Sequence, residues 1–215
     1  MQDGVVDCGI TGLDIVRESG ADVVELLRLG FGACTLEAAV PTESDVQSLD
    51  DLAAARVATS FPRLARELLP ASIELVDVHG SVELAPRLGL ADAIVDLVSS
   101  GSTLRTNGLR SIACLLESEA VLIGRGDVDL TAVFRSVVDA RGARYLMLNA
   151  PEESLDQICA LVPGSRAPSV LPLSEPGMVA VHSVVPAADV WRLLPALEAA
   201  GASSILLVPL ERMLA

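Results

Sequence analysis

Residues 92–104 read Asp-Ala-Ile-Val-Asp-Leu-Val-Ser-Ser-Gly-Ser-Thr-Leu, an apolar strand that carries a carboxylate, Asp96, and runs into hydroxyls around a single glycine. The pattern predicts a strand over residues 93–98 and a helix opening at Ser102-Thr103. Free backbone N–H groups at such a junction can hold a phosphate. Ser99, Ser100, Ser102 and Thr103 add hydroxyl donors, and Gly101 lets the backbone approach closely. Asp96 falls near the carboxyl end of its strand, where open α/β sheets bind ligands. A carboxylate beside a phosphate cradle is unfavourable unless it holds a sugar hydroxyl or a metal ion. Phosphate with ribose therefore fits better than phosphate alone. An ordinary Gly/Ser turn has the same composition, and neither G-x-x-x-x-G-K-[ST] nor G-x-G-x-x-G occurs.

The elements that must position this junction alternate along the chain. Residues 5–10 read as a strand, and Thr11-x-x-Asp14 as a capping box opening a helix that ends near Gly20. Residues 35–40 are a second apolar segment, Pro41-Thr-Glu-Ser is a loop, and Ser48 caps a short helix over 49–55. A strand over 56–60 precedes a helix whose first residue is Pro62. Strands at 73–78 and 93–98 flank a short helix at 81–88. This alternation predicts parallel sheets. Residues 127–140 form an amphipathic helix with Val128, Leu130, Val133, Val137 and Val138 mostly on one side. Beyond it come strand 145–149, helix 152–162, strands 169–173 and 179–185, helix 189–200 and strand 204–208. That βαββαβ order is the split ferredoxin-like pattern and places a boundary near Gly142.

The chain has 215 residues, 51% hydrophobic but only 2% aromatic. Its core must be built from Ala, Val, Leu and Ile, which suits buried strands under helices. A net charge of −14 argues against nucleic acid as a partner. An anionic substrate would need local N–H groups, a few arginines and Mg²⁺. No apolar run is long enough to span a membrane, and Met1-Gln-Asp-Gly has no basic leader, so a cytoplasmic chain is expected. Cys8, Cys34, Cys114 and Cys159 are scattered and read as small buried thiols. His79 and His182 lack ligand-spaced neighbours for zinc.

The run from His79-Gly-Ser-Val-Glu83 through Asp96, continued by the loop and Arg105-Thr-Asn-Gly108, resembles the phosphoribosyl diphosphate (PRPP) site of ATP phosphoribosyltransferases. Those enzymes perform the first step of histidine biosynthesis. Cys8-Gly-Ile-Thr-Gly-Leu-Asp14, Leu29-Gly-Phe-Gly32, Arg56-Val-Ala-Thr-Ser-Phe-Pro62 and Ser118-Glu-Ala-Val-Leu-Ile resemble family segments in family order. Leu146-Met-Leu-Asn-Ala-Pro151, Ala167-Pro-Ser-Val-Leu-Pro-Leu173, Val179-Ala-Val-His-Ser-Val-Val185 and Gly201-Ala-Ser-Ser-Ile205 are similar to the C-terminal domain of the family's long form. The resemblance implies an α/β fold: a two-lobed, periplasmic-binding-protein-like catalytic region followed by a ferredoxin-like, ACT-like βαββαβ domain. It places the first lobe at residues 1–34 and 127–142, the second lobe with the PRPP loop at 35–126, and a regulatory histidine-binding domain at 143–215.

The resemblance also implies roles. N1 of ATP displaces diphosphate from C1 of PRPP, with Mg²⁺ as cofactor and without a covalent intermediate. Glu83 and Asp96 are the catalytic carboxylates, on the ribose hydroxyls or on Mg²⁺ through substrate or water. Ser99, Ser100, Gly101, Ser102 and Thr103 hold the 5′-phosphate, and Asp14 lies on the ATP side. Each has a plainer role available: Glu83 as a first-turn acid, Asp14 as a capping-box acid, the loop as a turn. Asp92 reads as a cap or turn residue. Arg63, Arg87 and Arg105 are candidates for diphosphate oxygens or for solvated surface. Asn149, Ser169 and Ser204 align with contacts to histidine, the feedback inhibitor. Tyr145 and Trp191 read as core or interface residues. Family members associate as dimers and hexamers, so a homo-oligomer is expected.

The family's opening strand with its Asn-Lys-Gly segment has no match here, so the first lobe is expected to be incomplete, with exposed edges and apolar faces and impaired turnover. Two rival readings remain at this level. One is a non-catalytic regulatory or assembly subunit of the same family. The other is a two-lobed solute-binding protein.

Overall fold

The computed structural model describes residues 4–126, 130–162, 164 and 167–214. The chain forms two compact units, residues 1–131 and 132–215. The first unit contains, in chain order, β1 (Cys8–Gly12), α1 (Leu13–Ser19), β2 (Val24–Arg28), β3 (Cys34–Pro41), β4 (Arg56–Thr59), α2 (Pro62–Leu68), β5 (Glu74–Asp77), β6 (Ala93–Val98), α3 (Ser102–Thr106), β7 (Leu109–Ser118) and β8 (Ala120–Gly124). They build a three-stranded sheet of order β1-β8-β2 and a five-stranded sheet of order β5-β4-β6-β3-β7.

The five-stranded sheet owes its centre to apolar runs. Val57 and Ala58 of β4, Ala93, Ile94 and Val95 of β6 and Ala38, Ala39 and Val40 of β3 have no exposed surface. Such strands lack the alternation of a half-solvated sheet because helices and loops cover both faces. Only part of the sheet is parallel, contrary to the expectation of parallel sheets: β4 runs parallel to β5 and β6, but β3 is antiparallel to β6 and β7. The reason is the chain path. β3 enters from the smaller sheet and β7 returns to it, so those two must run in opposite senses. The smaller sheet is wholly antiparallel. Strands β2 and β7 went unread in the sequence, because β2 is short and β7 alternates weakly. The return falls at Ser118–Ala120, earlier than residue 127, so β8 lies in the smaller sheet between β1 and β2.

The two sheets are joined by a pair of adjacent crossings. Ala120 N donates to Phe31 O at 2.9 Å and Leu29 N to Ala120 O at 3.0 Å. The Glu119 carboxylate accepts from Gly30 N at 2.9 Å, and its carbonyl accepts from Leu13 N at 3.0 Å. A second bridge lies between α1 and α2. Phe61 at the N-cap of α2 offers no side-chain cap. Glu18 of α1 supplies one instead, accepting from the N–H groups of Arg63 and Leu64 at 2.9 Å each. The carboxylate thereby meets two orphan donors and the favourable end of the helix dipole.

Several local expectations are corrected. The helix α1 has Gly12, not Thr11, at its N-cap and no side-chain cap bond, so the capping box is absent. Asp14 turns toward Ser118 instead. Residues 49–55 contain only a 3₁₀ turn, Asp50–Leu52, because Asp51 reaches back to the N–H groups of Gln47 and Ser48 and to the Ser48 hydroxyl. The 81–88 helix shrinks to Val82–Leu84, entered through Ser81 in the left-handed region at φ 52°. Asp92 ties two strands together through bonds from Arg56 Nε, Nη2 and backbone N, and the guanidinium holds its carboxyl below the usual range. None of the four cysteines is fully buried: Cys114 is exposed, and Cys8, Cys34 and Cys159 are half-buried. Large apolar residues are exposed in the smaller-sheet region, among them Ile10, Ile15 and Val24.

The second unit contains most of α4 (Leu130–Arg141), then β9 (Ala143–Pro151), α5 (Leu155–Leu161), β10 (Ser169–Pro172), β11 (Met178–Pro186), α6 (Val190–Ala199) and β12 (Ser203–Pro209). From β9 onward this is the expected βαββαβ order, in an antiparallel sheet β10-β11-β9-β12. Leu146, Leu148 and Val181 pack one sheet face against Ile158 of α5 and Leu197 of α6. Tyr145 and His182 lie on the opposite face, where the Tyr hydroxyl is 3.2 Å from His182 Nδ1. Trp191 is 82% exposed and belongs to no core. Helix α4 buries Ser136 and Ala140 while Leu130 and Val133 are exposed. Its buried face is therefore rotated from the one read in the sequence, and Val128 lies outside the described residues.

Replacing Glu18 with Ala removes the cap of α2. The expected cost is about 1–2 kcal/mol, in the range of lost N-cap interactions. It is measured as a lowered urea midpoint at unchanged m-value, and an unshifted midpoint would mean that water replaces the carboxylate without loss.

Candidate functional site

The junction after β6 forms as the residue pattern implies, with α3 opening at Ser102. Gly101 precedes it in the left-handed region, φ 67°. A Cβ there would lie 3.0 Å from Arg105 Nη1 and 4.0 Å from Val98 Cγ1. Both the backbone angle and the approach of Arg105 therefore call for glycine. Arg105 folds back along the loop and donates from Nη2 to Ser100 O at 3.2 Å. The Ser100 and Ser102 hydroxyls are 2.8 Å apart. Residues 97–104, Glu83 and Asp96 line one small cavity of about 90 Å³. The structure thus brings together both carboxylates and the entire hydroxyl loop.

Asp96 accepts from Leu97 N at 2.8 Å. Burial raises its pKa above the ordinary 3.8, its bond to Leu97 acts the other way, and the nearby negative charge of Glu83 raises it further. Glu37 on β3 is the direct cross-strand partner of Asp96, and its Oε1 accepts from the Thr35 hydroxyl at 2.7 Å. Like charges facing across a ladder are destabilising, so this corner is built against its own electrostatics. Among the described residues no three acidic, histidine or cysteine side chains are arranged to hold a metal ion.

A larger cavity of about 440 Å³ adjoins the loop at the crossings. Its walls include Arg28, Ala33, Cys34, Val98, Ser99 and Glu117, and also Ser118 and Glu119. Val98 and Ser99 line both cavities. Register explains the proximity: Thr35 pairs with Val98 and Cys34 with Ser118, so the end of β6 meets both crossings. Asp14 sits just behind this wall, 5% exposed. Its N–H donates to Ser118 Oγ at 3.0 Å, and that hydroxyl donates to Asp14 Oδ1 at 2.6 Å. Burial first, and then the charge of Asp14, push the Cys34 thiol up, keeping it protonated.

The remaining candidates separate. Arg63 lies at the start of α2 with its guanidinium against Gly20. Arg87 lines another cavity with Pro41, Glu43 and Asn107. Asn149 and Ser169 lie on the sheet face of the second unit opposite its helices, two strands apart. Ser204 takes φ 50° within an irregularity of β12, one residue after Ser203, which pairs with Asn149. The sequence reading missed Arg28, Glu37, Glu117 and Glu119. No motif flags them; only knowledge that β3, β7 and β6 are adjacent would have gathered them.

Two α/β sheets joined by a double crossing, with a small loop cavity beside it, define a two-lobed, periplasmic-binding-protein-like unit, and the second unit is an added ferredoxin-like domain. The family profile for ATP phosphoribosyltransferase matches residues 1–138, and that for the HisG C-terminal domain matches residues 140–212. The chain belongs to the ATP phosphoribosyltransferase family, in its long form. An ATP phosphoribosyltransferase of Halobacterium salinarum is 45% identical over 222 residues, covering 98% of this chain and 79% of the relative. One from Gemmatimonas aurantiaca is 43% identical, covering 99% and 80%. Among solved structures, the ATP phosphoribosyl transferase (HisG:HisZ) complex from Thermotoga maritima aligns with a TM-score of 0.52 and 25% identity, over 57% of this chain and 61% of that one. The rival readings, a subunit without chemistry and a solute receptor, are not favoured. Among the described residues no helix is long and apolar enough to cross a membrane.

The raised pKa of Asp96 fixes a stability signature. The folded chain holds this proton more tightly than the unfolded chain, so the group favours folding only while protonated, below about pH 3.8, and that contribution is lost as pH rises through the folded-state value. Asp96→Asn is expected to raise the melting temperature near pH 7 by a few degrees, with the gain vanishing in acid. Thermal scans across pH check this; a variant less stable than the parent near pH 7 would show the carboxylate to be compensated.

Proposed function

We propose that this chain transfers the phosphoribosyl group of PRPP to N1 of ATP, with the 5′-phosphate on residues 99–103 and the ribose hydroxyls on Glu83 and Asp96. The observation that carries this reading is the single small cavity lined by all of them. Loop N–H groups and hydroxyls offset the phosphate charge locally, while Arg105 adds a cation at the rim. The proposed cofactor is Mg²⁺. Its fit rests on donor chemistry: two carboxylates line the cavity, one of them with its charged form disfavoured. With no three-residue protein site in the described chain, its remaining oxygens would come from PRPP and water. When bound, it would offset charge on the leaving diphosphate. Asp14 is assigned to the ATP side, behind the wall of the larger cavity.

Orientation of two anionic substrates is the main requirement of the reaction, since no side chain forms a bond to either. In the second unit, histidine is proposed to bind as feedback inhibitor at Asn149, Ser169 and Ser204. Support comes from their common sheet region and from the left-handed backbone of Ser204, a conformation that non-glycine residues hold at a cost. Homo-oligomers, dimers or hexamers, are proposed with it.

Gly101→Val tests the loop. The larger residue is incompatible with φ 67° and with Arg105. Losing two bonds to a charged phosphate, about 1.5–3 kcal/mol each, corresponds to at least about a hundredfold loss of PRPP affinity. Calorimetry with Mg²⁺ present reads it, and unchanged affinity in a folded variant rules out this loop as the phosphate site.

Histidine should raise the melting temperature of the full chain by mass action, with the shift growing with ligand concentration. Asn149→Ala is expected to reduce that shift. Absence of any histidine-dependent shift at saturation removes the inhibitor from the reading.

A further inference from the structure

We propose that the cavity of about 440 Å³ at the crossings receives the adenine ring of ATP, and that Glu117 accepts a hydrogen bond from its N6 amino group and so selects adenine. This rests on the transfer reaction proposed above. For N1 to displace diphosphate from C1 of PRPP, the two atoms must approach within about 3–3.5 Å. The base must therefore occupy a space that shares a wall with the phosphate loop, and the larger cavity does so through Val98 and Ser99.

The lining matches a base better than a phosphate. Ala33 and Val98 supply apolar surface, and Cys34 is a neutral thiol. Two carboxylates, Glu117 and Glu119, repel polyanions but attract an amino group. Glu119 is already engaged, by Gly30 N at 2.9 Å and by Arg28 at 3.6 Å. Arg28 is shared with Glu25 at 3.0 Å. Glu117 has no hydrogen bond or ion pair among the described residues, so its acceptor oxygens are free for a ligand.

The same carboxylates suit the reaction. The N1 lone pair forms the bond to C1, and the C1–O bond breaks with its electron pair leaving on diphosphate. The ring then carries a positive charge shared with N6, which a neighbouring carboxylate stabilises as it develops. Loss of an N6 proton to Glu117, and from there to water, leaves the base neutral. Acidic residues in a site for two polyanions thus face the part of ATP that becomes cationic.

The experiment compares ATP with ITP, which carries a carbonyl oxygen in place of the amino group, by calorimetry on the full chain without PRPP. A carboxylate facing that oxygen leaves two acceptors opposed, so the unaltered chain should prefer ATP by at least about tenfold. Glu117→Gln keeps the shape but can turn its amide to offer either a donor or an acceptor. The ATP preference should collapse to near unity, with Mg²⁺–PRPP affinity unchanged. Glu117→Ala should weaken ATP binding and also lose the preference. A preference that survives Glu117→Gln, or a parent chain that never distinguishes ATP from ITP, overturns the assignment. The PRPP titration separates this from the underlying reading. Failure of the parent chain to bind Mg²⁺–PRPP would sink the transfer reaction whatever Glu117 does to the base.

Discussion

The catalytic unit depends on its double crossing. Two chain segments, 29–34 and 118–120, pass side by side between the sheets and hydrogen-bond to each other through Leu29, Phe31 and Ala120. Because β3 starts at this crossing and β6 runs antiparallel to it, the carboxyl end of β6 must arrive here. The loop at 99–103, the larger cavity and the buried Asp14–Ser118 pair all follow from that one path. Glu119 reinforces it with both its carbonyl and its carboxylate. Glu18 adds a separate tie by capping α2 from the other sheet's side.

Charge is the second constraint. A chain with a net charge of −14 must bring two polyanions together, against its own field. The described site does not answer with a cluster of cations. The candidate loop offers short-range dipoles instead: backbone N–H groups, serine and threonine hydroxyls, and one folded-back Arg105. Screening leaves distant charges weak at physiological salt, whereas groups in contact act at full strength. That separation of ranges would let the loop proposed here hold a phosphate in an acidic protein. It also explains why Glu37, Glu83 and Asp96 can sit close to the loop, provided that a substrate hydroxyl or a substrate-borne cation meets them.

Sequence and structure agree where chemistry and backbone conformation coincide in a few consecutive residues. The loop at 99–103 is such a place, as is Pro62 at the first position of α2. The βαββαβ order of the second unit is another, since its strands and helices are separated by clear turn residues. Agreement fails where distant partners decide. Asp14 looked like a helix cap, yet a serine 104 positions away captures it. Residues 49–55 have helical composition, but Asp51 spends its carboxylate on the preceding N–H groups. The mixed direction of the larger sheet was illegible because alternation of strands and helices does not record which strands cross between lobes. Glu117 was illegible for the same reason: its meaning comes from the cavity that residues of four strands, β2, β3, β6 and β7, enclose.

Asp14 and Glu117 illustrate how this crossing divides its acids by burial. Asp14 is nearly fully enclosed, and its described hydrogen bonds go to one distant residue: its N–H to Ser118 Oγ, and Oδ1 from the same hydroxyl. A buried carboxylate without such a partner would carry a large desolvation penalty, so Ser118 is what allows the acid to be there at all. A Cβ at Gly12 would collide with Asp14 Oδ1, so the strand before α1 must end in glycine for the side chain to reach Ser118. Glu117, one residue before Ser118 on the same strand, points to the opposite side of the pleat and remains in solvent. Alternation along β7 therefore turns the Ser118 hydroxyl to Asp14 and leaves the Glu117 carboxylate exposed, although both residues line the larger cavity. A shift of one residue in the β3–β7 register would exchange the two sides, burying the free carboxylate and exposing the serine; the observed register pairs Cys34 with Ser118.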